Sequence, residues 1–177
     1  MSDRLMSRLR GMVSRAVVSL VNDSLKMQGL QVTLMAGQTP DDAEHFQHYG
    51  FTSVPLPGAE GIALAVGGST GHTVVINVDD RRYRVKALQA GEVCLYDDLG
   101  HKVTLTRDGI VIDGAGQQVR IINTPMTRLE SPLHVTGNIT CDGNIATPAD
   151  VTAGAVSLKT HKHGGVAVGG AQTSTPV

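Results

Sequence analysis

The chain has no tryptophan, and its aromatic side chains are three tyrosines and two phenylalanines, none of them after Tyr96. A nucleic-acid groove or a sugar platform built on stacked rings is therefore short of material. Cys94 and Cys141 are the only thiols and lie far apart, which excludes a disulfide framework and argues against a cysteine-rich zinc site. Neither sign of charge prevails: 15 Lys and Arg stand against 16 Asp and Glu, a net charge of −1, so no general pull toward polyanions follows. No apolar run is long enough for a membrane-spanning helix. Residues 1–10 carry Arg4, Arg8 and Arg10 without an apolar h-region, so no secretory leader is expected and synthesis in a cytoplasm is. G-x-S-x-G, P-loop and H-E-x-x-H patterns are missing, and Asp142 and Asp150 are the sole acids of the distal repeat. Catalysis is not expected.

What the chain has is glycine, 21 residues of it, and a repeat. Written in sixes from Ser131, the sequence reads SPLHVT, GNITCD, GNIATP, ADVTAG, AVSLKT, and then reaches His161-Lys162-His163. Leu133, Ile139, Ile145 and Val151 fall six apart, the last three each preceded by a small residue and then Asn or Asp. From 137 to 151 the odd positions are mostly apolar or small and the even ones mostly polar, the period-two signature of strands with one buried face. A six-residue repeat belongs to β-helical or fibre architecture. Four aliphatic side chains cannot offset the conformational entropy of ordering the whole of 131–158, so one copy cannot hold this segment folded. Three copies about one axis can, each supplying a short strand per level, and the reading is an intertwined trimeric β-helix.

Upstream, strands are expected over 14–20, 30–36, 51–56, 61–66 and 72–79, punctuated by Gly-rich turns. That pattern suits a small closed barrel of OB-fold type. Residues 81–100 read as a connector, with further strands over 103–106, 110–112 and 119–122. Residues 1–10 read as a short basic amphipathic helix with Leu5 and Leu9 on one face, serving as an arm or a docking element. The fold class is thus all-β. The expected division is a basic arm over 1–12, an OB-fold domain over 13–90, a β connector and start of the β-helix over 91–130, the hexads over 131–158 and a metal-binding tip over 159–177.

Two histidine pairs are candidates for metal chemistry. His45 and His48 fit a helical metal pair only formally, because Asp41, Asp42 and Glu44 beside them point to a capped turn with surface histidines. His161 and His163 are different: at i and i+2 on a strand they share a face, and three chains about an axis bring six imidazoles to one point. Six neutral nitrogens suit an octahedral ion such as Fe(II), Ni or Co better than tetrahedral zinc. Odd-inward parity cannot simply run on to His161, because it would bury Lys159, so the register is expected to shift over 154–157 and to shift back before His161. Gly164-Gly165 and Gly169-Gly170 would then let the chain turn around a narrow end.

The segment 46–84, FQHYGFTSVPLPGAEGIALAVGGSTGHTVVINVDDRRYR, with Gly91-Glu92-Val93 and Leu95-Tyr96-Asp97 after it, resembles the Mu-type baseplate assembly protein V family of contractile-tailed phages. The resemblance covers nearly the whole chain and rests most on SVPLPGAE, VDDRRYR and the terminal H-x-H. It implies an OB-fold domain, a homotrimeric spike and one apical ion, taken as iron (Fe2+), held on the three-fold axis by three copies of His161 and His163. Further axial calcium or chloride is also implied, with no residues here to assign. The implied place is the virion, at the tip of the tail baseplate, with baseplate hub proteins as partners and the host outer membrane as the target when the sheath contracts. A receptor- or polysaccharide-binding fibre tip is the alternative; it would need the distal aromatic platforms this chain lacks.

Nucleic acid is not an expected partner. Arg81, Arg82 and Arg84 sit beside Asp79 and Asp80, and Phe46, Tyr49 and Phe51 cluster in a separate turn, so no ring-lined basic groove results. A gel-shift titration with single- and double-stranded DNA should show no retention. Tight binding that weakens with salt would overturn this reading.

Overall fold

The computed structural model describes residues 12–34, 39–69, 71–163, 165 and 169–170. The amphipathic arm expected over 1–10, and Gly164 with most of the glycine-rich end, lie outside the described residues. The chain divides into two compact units, Met1–Arg120 and Ile121–Val177. No helix among the described residues is long and apolar enough to cross a membrane.

The first unit opens with a closed five-stranded barrel. Its strands are β1 (Val13–Asn22), β2 (Gly29–Leu34), β3 (Ala43–Phe46), β4 (Glu60–Ala65) and β5 (Thr73–Asp79), arranged β1-β2-β3-β5-β4 and closed by β4 on β1. Every pairing is antiparallel except β3 with β5. This closed Greek-key order fits an OB-like fold. Alternation along the strands sends Ala16, Val18, Leu30, Val32, Leu34, Ala43, Ala63 and Val75 inward, joined by Ala59 from the preceding loop. Four of these nine are alanines, which suits the narrow interior of a five-stranded barrel.

Where β4 meets β5 the register jumps between Glu60 and Ile62, and Asn77 takes a left-handed φ of 51° inside its strand. Such a bulge strengthens the bend that closes a small barrel. Gly61 sits opposite it because a Cβ there would stand 3.0 Å from Val75 Cγ1 and 3.1 Å from Val78 Cγ2. SVPLPGAE and VDDRRYR, far apart in sequence, touch here. The Arg82 guanidinium donates to Pro57 O at 2.9 Å while holding both oxygens of the Asp80 carboxylate, which lowers the Asp80 pKa. Arg81 pairs with Glu60 in the same region. These signature residues clamp the loop before β4 to the turn after β5.

Several expectations are corrected. The stretch 51–56 is loop, and the third barrel strand is instead Ala43–Phe46, placed in sequence where a capped turn was expected. Its AEHF alternates buried and exposed, a pattern too short to stand out beside the acidic residues around it. His45 is consequently not a surface residue: it is 4% exposed, and its ring Nδ1 lies 2.7 Å from Gln28 Oε1. Gln28 Nε2 donates to Asp23 Oδ1 at 2.6 Å and to Ser53 O at 3.0 Å. With the amide nitrogen so engaged, Gln28 Oε1 is the acceptor and His45 donates through Nδ1–H. The expected connector over 81–100 contains β6 (Val93–Tyr96), which pairs with β7 (Lys102–Leu105) and β8 (Ile110–Asp113) in an antiparallel sheet, whereas 119–122 forms no strand.

The β6–β7–β8 sheet carries a one-sided pattern. Its registers align Val93 with Leu105 and Ile110, and Leu95 with Val103 and Ile112, so six aliphatic residues share one face. Within one copy none of them is buried, and Ile110 is 70% exposed. The same holds farther on: among the described residues no strand occurs between Asp113 and Thr152, and Leu133, Ile139, Ile145 and Val151 are all exposed. The repeat is nonetheless present in the backbone, which bends at Thr136 and Gly137, at Asp142 and Gly143, and at Pro148 and Ala149, six residues apart each time.

Burial lowers the pKa of His45, so the folded barrel holds it neutral. Acidification below the ordinary histidine value of 6.5 protonates the unfolded chain first. Barrel stability should be full above that pH and should fall below it until folded His45 titrates as well. Denaturant midpoints measured from pH 7.5 to 5 check this. His45→Gln, whose amide can still donate to Gln28, should flatten that slope, and His45→Ala should cost about 1–3 kcal/mol by stranding a buried acceptor.

Candidate metal-binding tip

The second unit ends in a small hairpin. β9 (Thr152–Ala153) pairs antiparallel with β10 (Val156–Ser157) around Gly154 and Ala155. Gly154 has φ 59°, the positive value that a two-residue turn of type II′ demands at its first central position. The expected register shift over 154–157 is thus a reversal of the chain, and the parity of the hexads ends at this turn.

Asp150 staples the hairpin. Its Oδ1 accepts from the backbone N–H of Val151 at 2.8 Å and of Lys159 at 3.1 Å, and the Ser157 hydroxyl bonds to the same carboxylate. Together these partners, the Ser157 hydroxyl first, lower the Asp150 pKa. Ser157 Oγ in turn accepts from Thr160 N at 2.9 Å, and the N–H of Leu158 reaches Val151 O at 2.9 Å. The sequence reading treated Asp150 only as one of two charges in the repeat. An acid directly before a strand that reverses at a glycine is the signal that points to its structural role.

A tight turn after β10 delivers the two histidines. The His161 N–H bonds to Ser157 O at 3.0 Å, and the His161 ring Nδ1 lies 2.8 Å from the same oxygen. A carbonyl can only accept, so Nδ1 carries the proton and the Nε2 lone pair is left outward. The His163 ring stands edge-on to it, centroids 5.2 Å apart at an interplanar angle of 75°. The structure therefore brings His161 and His163 together on one side of the chain, both exposed. One copy offers only these two nitrogens, and among the described residues no group of three or more His, Cys, Asp or Glu side chains is placed to hold an ion. His45 and His48 are not brought together as a ligand pair, since the first is buried against Gln28 and the second is exposed.

Comparison with known proteins agrees at both ends of the chain. Residues 15–82 match the family described as Bacteriophage Mu Gp45, N-terminal, and residues 155–177 match the GpV Apex motif. The first match spans the barrel through the Arg82 clamp; the second starts at the hairpin turn and includes both tip histidines. Among similar proteins are the "Baseplate puncturing device gp45" of Escherichia phage Mu and the "Mu-like prophage FluMu protein gp45" of Haemophilus influenzae. The former is 36% identical over 173 residues, covering 91% of this chain and 87% of that protein. The latter is 38% identical over 168 residues, covering 88% and 87%. At 36–38% identity over about nine-tenths of its length, the chain belongs to the phage Mu gp45 family.

Proposed function

We propose that three copies of this chain form the central spike of a contractile-tail baseplate, a structural virion component that punctures the host outer membrane. The observation that carries this reading is the distribution of apolar surface. Six aliphatics cover one face of the β6–β7–β8 sheet, hexad aliphatics follow at every sixth position, and one copy buries none of them. Contiguous apolar surface of this extent marks an interaction site. A repeat with bends every six residues suits three chains winding about a shared axis, each turning a corner at every bend. On this reading the intertwined part begins with the sheet near Val93 and runs through the hexads to the tip. The name of the phage Mu relative, a baseplate puncturing device, supports the same role.

The mechanism is mechanical and uses only what the chain supplies. Interchain pairing satisfies the backbone groups that lie unpaired along 114–151, so a trimer presents no loose strand edges to lipid. Between 131 and 158 only Asp142 and Asp150 are charged, which lowers the cost of entering an apolar layer. The Asp150 hairpin closes each chain below its histidines and keeps the last turn from fraying.

The tip fits a metal ion through its donor chemistry. Ser157 O fixes the His161 proton on Nδ1 and leaves Nε2 free, the arrangement in which a second-shell carbonyl orients a ligating imidazole. His161 and His163 of three copies would supply six neutral nitrogens to one axial ion, taken as iron (Fe2+). Bound there, the ion would cross-link three chain ends where apolar burial is thinnest. No step of this role requires a catalytic group, and the spike needs no nucleic acid. Hub proteins of the baseplate would hold its barrel end.

Elemental analysis of purified protein should find one transition-metal ion per three chains. His161→Ala with His163→Ala should remove it while the assembly stays intact through its hexads, with faster proteolysis confined to the segment beyond 150. A double variant that still retains one ion per three chains would show that other residues hold it.

A further inference from the structure

The buried His45 ring commits its Nδ1–H to Gln28, so its Nε2 carries a lone pair. Nε2 has no hydrogen-bond partner among the described residues, yet no fully buried side-chain nitrogen or oxygen there lacks one. This nitrogen is therefore reached from outside. The opening is a cavity of about 310 Å³ that His45 lines, between the 47–53 loop and the end of β5. Phe46 and Phe51, the only phenylalanines of the chain, line it as well, and both are exposed. Asn77 and Asp79 contribute from β5. The left-handed Asn77 interrupts its strand, a distortion of the kind that re-aims side chains beside a site. Asp79 Oδ1 accepts from the Asp80 N–H at 2.8 Å and from the Tyr96 hydroxyl at 3.4 Å. Among the described residues its Oδ2 takes no hydrogen bond, and no cation pairs with the carboxylate. The walls are also preformed. The Gln47 amide closes the loop on Ser53, accepting from its N–H at 2.7 Å and donating to its carbonyl at 3.1 Å. Gln28 gives that carbonyl a second donor at 3.0 Å.

We infer that this cavity receives an arginine side chain presented by another protein. Its chemistry selects that group. A carboxylate without a cation and a neutral imidazole acceptor call for a positive charge rich in donors. Phenylalanine rings in the wall favour a cation that is planar and weakly hydrated, which a guanidinium is and an ammonium is not. A metal ion does not fit, because no group of three His, Cys, Asp or Glu side chains among the described residues is placed to hold one. The nearby guanidiniums of the chain itself are engaged elsewhere, Arg15 and Arg81 at Glu60 and Arg82 at Asp80. A rigid socket loses little freedom on filling, so one inserted side chain can anchor a larger contact. The cavity lies within a single barrel, so the inference stands apart from the trimeric spike.

Titrating the full chain with N-acetyl-arginine methylamide, followed by NMR of the histidine rings, tests this. At pH 7.5 the His45 Nε2 resonance should move as a lone pair accepting a hydrogen bond does. It should saturate at about millimolar ligand, the strength a single side chain reaches. The citrulline analogue, nearly the same in shape but uncharged, should leave it in place; an equal response to both overturns the inference. Asp79→Asn, which keeps an acceptor for Tyr96, should weaken binding roughly tenfold. Unchanged affinity in that variant overturns the inference too. Acid turns Nε2 from acceptor into donor, so binding should fade between pH 7.5 and 5. The other titratable groups about His45 are His48 and Asp79 in the cavity and Asp23 beyond Gln28. His48→Gln should leave the pH profile as it is, and a profile that vanishes with it overturns the part given to His45. A resonance already shifted in the protein alone, and released by replacing Arg4, Arg8 and Arg10 with Gln, would mean that the chain fills its own cavity and overturns the assignment to another protein. No response while sedimentation finds trimers overturns the inference and leaves the spike standing.

Discussion

Everything distal to the barrel depends on apolar surface that one copy cannot cover. The β6–β7–β8 sheet has hydrogen-bonded strands and a consistent register, yet its six aliphatics share one face and none of them is buried within one copy. Beyond Asp113 even the strand ladder stops, and until Thr152 the backbone has turns and bends but no paired strand among the described residues. Such a chain has two ways to lower its free energy. It can collapse without order, or it can meet identical chains whose exposed rows match its own. The proposed spike takes the second: identical repeats in register would fill one another's gaps at every level, while a disordered collapse gains nothing from periodicity.

The two ends solve a different problem from the middle. The barrel closes on itself, buries nine small and aliphatic side chains, and locks its long loop with Arg82, so it supplies folded structure before any assembly. Among its described residues the tip has no buried core. Its order comes from a carboxylate collecting two backbone N–H groups and a hydroxyl, and from a carbonyl that fixes an imidazole tautomer. Local polar bonds of this kind set direction cheaply where there is too little apolar mass to do so. A metal held by three such ends would add the cross-link that burial cannot provide there.

Much of this architecture was legible in the sequence because its signals are periodic. Alternation over 61–66 and 72–79 located β4 and β5 to within a residue or two, and the hexads announced themselves without reference to any other chain. Short elements were not legible. β3 has four residues, among them Glu44 and His45, and the deciding fact, that β5 runs parallel beside it, is a long-range pairing no local pattern records. The burial of His45 likewise depends on Gln28, seventeen positions away. The hairpin at Gly154 was read as a slip of register because alternation reveals which side a residue faces but not whether the chain has turned back. His161 and His163 were legible as a pair; that Ser157 O fixes the proton on Nδ1 of His161 is a property of the turn between Ser157 and His161.

The trimer is the claim on which spike and tip both stand, and its mass is the most direct measurement. Sedimentation equilibrium at micromolar concentration should give a single species of about three times the chain mass of 18.6 kDa, with no folded monomer on dilution until the whole distal segment loses its amide-exchange protection. A monodisperse particle of 18.6 kDa in which residues 93–158 still exchange slowly would contradict the account, because it would mean that one copy covers its own apolar rows after all.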